Sequence, residues 1–417
     1  MTQATTPQAA TPPLAGMRVL DFSRLLPGPW ATQLLGALGA DVVKVEQPGV
    51  GDLSRHNHPR LREESVYFNG VNANKRSVAI DLARPEGAAL LPALLGWADV
   101  VIESFRPGVA RRLGIDAETV RGCRPDVIHC SISGFGQTGP LSNIAGHDLV
   151  IQAATGVMGC QPRGDVPPEV PGFQSADFAG AMTAVVAVQA AWARRGKDGT
   201  GCTIDLSMYD ALLSMCVIPL ASAMARLAGA SGEPRQEVFG ANPRYCTYRT
   251  RDGRAVAVSL LEARAWAAFC GAIGRTDLVR EDESHADRLT DHGEHGLRYR
   301  EAIANYCASR DRDDLVSEMR SLGIAISPVL DPDEALALDH AQARGDIDWI
   351  EHPVEGRMPQ LLTPLHQSGL ASRPRPAPVL GEHTLAVLRE VGASSESIDR
   401  ALACGALVQW QPERRGG

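Results

Sequence analysis

Short apolar runs alternate with helical stretches over the first third of this 417-residue chain, and this alternation constrains the fold more than any other feature. β-Branched and apolar residues are concentrated in runs at 17–22, 41–46, 77–81, 99–103 and 127–133. Helix-forming stretches separate the runs, one beginning at Gly28 and another at Pro85. Parallel strands need a crossover between them, and that crossover is usually a helix. The sequence therefore predicts an α/β fold with a Rossmann-like parallel sheet.

Composition changes after residue 228, and the change indicates where domains meet. A chain of this length is too long for one hydrophobic core. Residues 229–243 are rich in glycine and polar residues, as a linker is, and a hairpin pattern with a turn at Asp252-Gly253 follows them. We expect a disordered lead-in at 1–14, a large α/β domain at 15–228, a linker at 229–243, a smaller α+β domain at 244–330 and a return to the large domain at 331–417.

Charge and cysteine usage exclude several classes of function. The net charge of −8 argues against binding to nucleic acid or to a membrane surface, since both need a basic face. The nine cysteines form no C-x-x-C pair and the eleven histidines no H-E-x-x-H motif, so we expect reduced thiols and no metal. The polar N-terminus lacks the order of an export signal, and no apolar run is long enough to span a membrane, which predicts a cytoplasmic protein. No G-x-G-x-x-G follows Phe22, which argues against dinucleotide binding.

One acidic residue, Asp177, stands directly before a stretch of small apolar residues that is predicted to be a helix ending near Gly196. An aspartate at this place is a good N-cap, because its carboxylate accepts a bond from a free helix amide. The same place suits a nucleophile, because the helix dipole favours the ionised carboxylate. The residues alone leave both interpretations open.

Seven segments form a series along nearly the whole chain. They are residues 14–52 (from LAGMRVLDF to EQPGVGD), 72–87 (NANKRSVAIDLARPEG), 98–115 (ADVVIESFRPGVARRLGI), 133–140 (SGFGQTGP), 146–159 (GHDLVIQAATGVMG), Asp177 with its helix, and 378–384 (PVLGEHT). In this order and spacing they resemble the superfamily of family III CoA-transferases and α-methylacyl-CoA racemases. The sequence is therefore similar to enzymes that act on acyl-CoA thioesters.

The resemblance implies an assembly and a mechanism. Members are homodimers whose chains pass through one another like linked rings, with coenzyme A (CoA) as a substrate moiety along the large domain and no tightly bound cofactor. In the transferases, the aspartate at the position of Asp177 attacks the thioester, and CoA passes through an aspartyl thioester to a carboxylate acceptor. In the racemases, the matching aspartate and a histidine at the position of His147 exchange the α-proton.

Three further residues are candidates for catalysis. His147 is typical of the racemases, where two bases stand on opposite faces of the α-carbon, although a lone loop histidine is more often solvated. Asp148 is placed to orient the His147 imidazole. Glu262 matches a racemase-like glutamate from the small domain, with a helix N-terminal acid as the alternative.

Most of the residues expected to contact CoA follow the first strand or the fourth, and two further phosphate candidates directly precede the third. Loops after parallel strands meet ligands, and arginine suits phosphate because its planar fork offers several donors. We expect contacts from Arg24, Leu25, Leu26, Pro27, Lys75, Arg76, Phe105, Arg106 and Arg112. Solvated helix faces are the alternative interpretation for these cations.

CoA transfer to a carboxylic acid is the preferred hypothesis, and racemisation of an α-methylacyl-CoA is the alternative. Residues 64–77 and the PVLGEHT segment favour transfer, whereas the GHD at 146–148 is typical of racemases. No glycine-rich loop like that of formyl-CoA transferases is evident between Gly229 and Pro243, which argues against an oxalate- or formate-like substrate. A CoA-binding protein without activity is a third hypothesis, and the presence of Asp177 speaks against it.

Overall fold

The computed structural model describes residues 11–160, 167–231 and 239–412, which form two compact units. The first unit contains the described residues up to Ile151, Phe173–Leu212 and those from Asp339 onward. The second contains the described residues of Gln152–Gly172 and Leu213–Leu338. Most of the predicted lead-in and half of the predicted linker lie outside the described residues, while Leu14 is already buried and donates its N–H to Leu38 O. The predicted domain ranges stay predictions.

Twelve β-strands occur in the described residues, and they form three sheets. In chain order they are β1 (Arg18–Asp21), β2 (Asp41–Glu46), β3 (Lys75–Ile80), β4 (Val100–Glu103), β5 (Ile128–Ser133), β6 (Cys202–Ser207), β7 (Tyr245–Arg249), β8 (Ala255–Ser259), β9 (Ile326–Pro328), β10 (Ile347–His352), β11 (Gly356–Leu361) and β12 (Leu407–Val408). The first five predicted strands therefore agree with β1 to β5 to within two residues at each end.

Eighteen α-helices occur in the described residues. In chain order they are α1 (Pro27–Ala37), α2 (Val66–Val71), α3 (Pro85–Ala88), α4 (Leu91–Trp97), α5 (Val109–Leu113), α6 (Ala117–Cys123), α7 (Asp148–Ala154), α8 (Ser175–Asp198), α9 (Met208–Met215), α10 (Val217–Leu227), α11 (Ala263–Ala272), α12 (Glu294–Ala308), α13 (Arg312–Ser321), α14 (Pro332–Leu336), α15 (Asp339–Arg344), α16 (Pro364–Gln367), α17 (Thr384–Glu390) and α18 (Ser395–Ala403).

The central sheet of the first unit has the strand order β12-β3-β2-β1-β4-β5-β6. Neighbouring strands are parallel except for β12, which is antiparallel to β3. The chain moves outward from β1 to β3 and then returns to β4 on the other side of β1, so the connections diverge between β1 and β4. In open parallel sheets, ligands bind in the crevice that such a divergence leaves at the carboxyl ends of the strands. The predicted parallel α/β sheet is confirmed, and its crevice is the place to look for the site.

The interior of this sheet is buried on both faces, which explains the nearly continuous apolar runs of its strands. Leu20, Val43 and Val101 are fully buried in one cluster with Leu94 of α4 and Val387 of α17. Complete burial of such a side chain contributes about 1.5–3 kcal/mol each. The C-terminal segment therefore belongs to the same core as the first strands.

Two predicted helices are each divided in the structure, and a proline lies at the start of the second part of both. The helix predicted at 85–97 is divided into α3 and α4, because Pro92 has no N–H to donate to the carbonyl four residues earlier. The helix predicted from β6 to about residue 227 was expected to kink at Pro219, and this is confirmed: α9 and α10 meet at an angle of 80°, because the Pro219 ring would clash with the carbonyl of Met215 in a straight helix. The β10–β11 hairpin and β12 were not predicted.

The second unit contains the antiparallel sheet β7-β8-β9 with helices α11, α12 and α13. Its core includes Trp266, Phe269, Tyr299 and Ile303, all almost fully buried. The predicted hairpin around Asp252-Gly253 is β7–β8. Pro328 stands in β9, an edge strand, which is where a residue without an N–H is tolerated.

Helix α8, with 24 residues, is long and apolar enough to cross a membrane by length and composition alone, contrary to the expectation that no apolar run reaches that length. Fewer than half of the residues in its most apolar window are buried, 44%. The helix packs against α1, β5 and β6 within the first unit, as the core helix of a globular protein does.

Candidate active site

The main pocket of the first unit lies at the carboxyl edge of the central sheet and has a volume of about 420 Å³. It is lined by residues 24–27 after β1, 104–107 after β4, 132–134 at the end of β5, Ser142, residues 144–147, Asn57, Tyr67, Asp177 and Met208. The pocket therefore occupies the divergence between β1 and β4, and its volume suits a small-molecule ligand. It brings the candidate catalytic residues Asp177 and His147 together with most of the expected CoA contacts.

A smaller pocket of about 100 Å³ shares Arg24 and Phe105 with the main pocket. The Arg24 guanidinium lies 4.9 Å from the centre of the Phe105 ring, which places a cation where the two pockets meet. The walls of the smaller pocket are otherwise mostly apolar, with Phe22, Val45, Ile80, Leu82 and Leu113 among them. Together the pockets offer a small and mostly apolar cavity, a cation where the two meet, and a larger cavity that contains the Asp177 carboxyl.

Asp177 does not cap its own helix, contrary to the simplest interpretation of the sequence. The N-cap of α8 is Gln174, and Asp177 is the third residue of the helix. The Asp148 carboxylate takes the capping role, because its Oδ1 accepts the N–H of Ala176 at 2.7 Å and of Asp177 at 3.2 Å. The Asp177 carboxylate is thereby left to line the pocket.

Burial, with a smaller contribution from the negative charge of Asp148, raises the pKa of the Asp177 carboxyl to about 7. The helix dipole alone led us to expect an ionised group, and that expectation underestimated the cost of removing the carboxylate from water. A carboxyl with a pKa near neutrality is a more basic nucleophile than an exposed aspartate. Perturbation of this kind, in a cleft, is typical of functional residues.

The reaction rate is expected to depend on pH through Asp177. Because attack requires the carboxylate form, kcat/KM should fall as pH decreases through about 7, the pKa of this group in the free enzyme. The same shift makes folding less favourable as pH rises from the unfolded value toward 7, because the folded chain then holds a proton that the unfolded chain has released. Asp148→Asn removes a neighbouring charge and should move the acidic limb of the kcat/KM profile to lower pH. An unchanged limb in this variant would argue that another group titrates.

His147 and Asp148 lie at the start of α7, and Glu262 lies elsewhere in the chain. His147 is exposed and lines the main pocket with Asp177. Asp148 contacts the first turn of α8, and the proposed orientation of His147 by Asp148 stays a prediction. Glu262 is the N-cap residue of α11 in the second unit, so its catalytic role also stays a prediction.

Three of the expected CoA contacts line neither pocket. The Lys75 ammonium is fully buried and donates to Asp21 Oδ2, Pro29 O and Asn72 Oδ1 at 2.8–2.9 Å, so it has no N–H left for a phosphate. Arg76 is bound by the carboxylates of Asp41 and Glu390. Both residues begin β3 and thus stand at the end of the strand opposite to the ligand edge. Arg112 is exposed on α5, next to Leu113 of the smaller pocket.

Sequence reasoning overlooked Tyr67 and gave Ser133 no role. Tyr67 lines the main pocket, and burial together with the charge of Asp177 raises its pKa. Ser133 ends β5 in the same pocket, and its buried Oγ has no hydrogen-bond partner among the described residues. The position of Ser133 at a strand end was the available signal, whereas nothing in the local sequence distinguishes Tyr67.

Comparison with known proteins identifies the family, because the sequence model of CoA-transferase family III matches residues 14–384. The chain belongs to CoA-transferase family III. This CoA-transferase is 32% identical over 400 residues to succinate–glutarate CoA-transferase of Agrobacterium fabrum, covering 93% of this chain and 97% of that protein. It is 31% identical over 406 residues to human succinyl-CoA:glutarate CoA-transferase, covering 95% and 90%. It is 30% identical over 409 residues to formyl-CoA:oxalate CoA-transferase of Escherichia coli O157:H7, covering 93% and 97%.

Solved structures agree with this family. A CaiB/BaiF family protein from Brucella suis has a TM-score of 0.77 and 30% identity, with 91% of this chain and 99% of that chain covered. Rv3272 from Mycobacterium tuberculosis has a TM-score of 0.75 and 26% identity, with 90% and 99% covered. The resemblance inferred from the seven segments is confirmed, and so is the prediction of a CoA-transferase. Among the described residues, no group of three or more His, Cys, Asp or Glu is arranged to hold a metal ion.

Proposed function

We propose that this CoA-transferase moves CoA from a dicarboxylic acyl-CoA to a second dicarboxylic acid through a covalent intermediate on Asp177. The single observation that carries the mechanism is the Asp177 carboxyl, with its pKa raised to about 7, in a pocket at the sheet crevice. The choice of acid class is supported by the relatives named for succinate and glutarate.

Each step exchanges one bond for another. An Asp177 oxygen attacks the thioester carbonyl, the C–S bond breaks, and the CoA thiolate leaves from a mixed anhydride. The thiolate attacks the Asp177 carbonyl of the anhydride and releases the donor acid, which leaves an aspartyl-CoA thioester. The acceptor carboxylate then attacks the carbonyl of the aspartyl-CoA thioester, which releases the CoA thiolate and forms a second mixed anhydride. The thiolate attacks the acceptor's carbonyl in that anhydride, which yields the new acyl-CoA and restores the Asp177 carboxylate. Dividing the exchange in this way replaces one difficult step by several easier ones.

CoA is proposed to lie across both pockets. Arg24 and Phe105 lie where the pockets meet, and Arg24 offers a guanidinium suited to a phosphate. The smaller pocket, whose lining is mostly apolar, would take the adenine ring, and the thioester would lie beside Asp177 in the main pocket. Residues 25–27 and Arg106 would line the path between them.

We also propose that the enzyme is a cytoplasmic homodimer. Helix α10 is apolar but has no buried residue in the single chain. Four of its large apolar side chains are each more than half exposed: Val217, Ile218, Met224 and Leu227. Large apolar side chains exposed together on one short helix are typical of an interaction surface. Sedimentation equilibrium should give twice the chain mass of 44.4 kDa.

The covalent intermediate is tested by intact-protein mass spectrometry after brief incubation with succinyl-CoA and quenching with hydroxylamine or borohydride. A hydroxamate or an alcohol should form at Asp177, and Asp177→Asn should give neither. The racemase alternative is tested in the same experiment, because the two bases it requires, His147 and Asp177, line the same pocket. If no adduct forms while solvent deuterium enters the α-carbon of a 2-methylacyl-CoA, and His147→Ala abolishes this exchange, the transferase mechanism is wrong.

A further inference from the structure

The loop after β1, residues 23–27, is held in an unfavourable conformation at the edge of the main pocket. Four of its residues, from Arg24 to Pro27, line that pocket. Leu25 has φ of 64°, a left-handed conformation that side-chain-bearing residues rarely adopt. Such a conformation persists only where the surroundings enforce it, and it is common at ligand sites.

Side chains from other parts of the first unit bond successive backbone groups of this loop. The Lys44 ammonium donates to Ser23 O at 2.9 Å, and Arg24 N–H donates to Ser104 Oγ at 2.9 Å. Leu25 N–H donates to Asp52 Oδ1 at 3.1 Å. The loop conformation is therefore specified by contacts from β2, from the turn after β2 and from the residue after β4.

Lys44 and Asp52 are themselves joined in a buried ion pair, with 2.9 Å between Nζ and Oδ2 and no exposure of either side chain. Asp52 Oδ1 also accepts the N–H and the hydroxyl of Ser54 at 2.9 and 2.8 Å. A buried charge pair contributes little to the stability of a fold, because removing both charges from water costs about as much free energy as their attraction returns. Apolar side chains of similar volume often stabilise a fold equally well. Its ability to fix one geometry is the reason to expect a role in the site.

We propose that Lys44 and Asp52 are positioning residues for CoA, which hold the loop at 23–27 so that Arg24 stacks on Phe105 at the junction of the two pockets. This inference rests on the proposed function only in taking CoA as the ligand of these pockets. Neither residue lines either of these two pockets, so their effect passes through the backbone of the loop.

Asp52→Asn is the decisive variant. An amide cannot accept from both Leu25 N–H and the Lys44 ammonium, because one of its two positions is a donor. Hydrogen exchange of the Arg24 and Leu25 amides in the ligand-free enzyme should accelerate roughly tenfold. The Kd for CoA by calorimetry, and the KM for succinyl-CoA, should rise roughly tenfold with a smaller change in kcat and in the KM for glutarate.

Glu355→Gln is the matched control, since Glu355 is also a buried carboxylate bound by backbone amides. It accepts the N–H groups of Arg62, Glu63 and Glu64 at 2.6–3.0 Å, away from the pockets. It should leave both the loop exchange and the Kd for CoA unchanged. Ser104→Ala removes a loop bond without altering a buried charge, and it should shift both readouts in the same direction as Asp52→Asn if the latter folds poorly.

Two results would overturn the proposal. Unchanged exchange at Arg24 and Leu25 in Asp52→Asn and Ser104→Ala would mean that these bonds do not hold the loop. Faster exchange with an unchanged Kd for CoA would mean that the loop geometry does not matter for CoA. Failure of the Asp177 adduct experiment leaves the hydrogen exchange and the Kd for CoA interpretable, because these two measurements require no acyl chemistry.

Discussion

Asp177→Asn is expected to lower kcat by on the order of 10⁴-fold or more, because an amide cannot form the mixed anhydride. Asparagine has the same shape, so Asp148 still accepts the Ala176 and Asp177 backbone amides and the start of α8 is preserved. Substrate binding should survive, since the variant removes a charge that burial already disfavours. Initial rates of succinyl-CoA consumption with glutarate, together with the Kd for CoA, separate these two effects.

The same variant predicts a gain in stability. The carboxyl of Asp177 has a pKa near 7 in the folded enzyme, so its ionisation above that pH opposes folding. Asp177→Asn should therefore have a higher Tm than the natural enzyme at pH 8, and the difference should shrink toward pH 5. A fully active Asp177→Asn enzyme would exclude the covalent mechanism. A loss of activity accompanied by a lower Tm would point to a structural role instead.

The fold could be predicted from sequence because the parallel sheet leaves a local signature. Strands buried on both faces are apolar runs, as in β2 and β4, and prolines mark the start of the crossover helices α1 and α3. The β10–β11 hairpin has no such signature, because apolar and polar residues alternate only weakly along its two strands. Two of its large apolar side chains, Trp349 and Leu361, are exposed. Strand β12 contains only two residues, too few for any periodicity.

Site residues could be predicted where they directly follow a strand, and could not be predicted where their role depends on contacts with residues distant in the sequence. Arg24, Phe105 and Arg106 lie in the main pocket because they come directly after β1 and β4. Capping of α8 by Asp148 joins residues about thirty positions apart, which no local pattern records. Lys75 and Arg76 were misplaced for a related reason: a positive charge suggested a phosphate ligand, whereas acidic partners from other segments already bind both side chains.

Asp21→Asn is expected to lower the free energy of unfolding by about 3–5 kcal/mol at pH 6, because it leaves buried ammonium groups with too little negative charge. Asp21 is fully buried between Lys75, 2.9 Å from its Oδ2, and Lys44 at 3.9 Å. Although burial raises the pKa of Asp21, these two cations hold it well below its usual range. The carboxylate also accepts the Thr32 hydroxyl, which the amide can preserve in one orientation.

The loss in Asp21→Asn should depend on pH through Lys75. Burial lowers the pKa of Lys75 to about 8 even with Asp21 present, whereas Lys44 also faces Asp52 and keeps a raised pKa. Without Asp21, Lys75 is expected to release its proton more readily, so the penalty should be smaller at pH 9 than at pH 6. Urea unfolding at both pH values and at one protein concentration measures this difference.

Asp41→Asn is the matched control for this prediction, since Asp41 also pairs with a cation at the start of β3. Its side chain is 41% exposed beside Arg76, so the loss should be at most about 1 kcal/mol and nearly the same at both pH values. An Asp21→Asn penalty that is equally small would mean that water reaches the buried cluster. A large penalty that does not change between pH 6 and 9 would mean that Lys75 remains charged in the variant, held by Pro29 O and Asn72 Oδ1 alone. The pH dependence of the penalty therefore shows whether Lys75 stays charged in the Asp21→Asn variant or loses its proton.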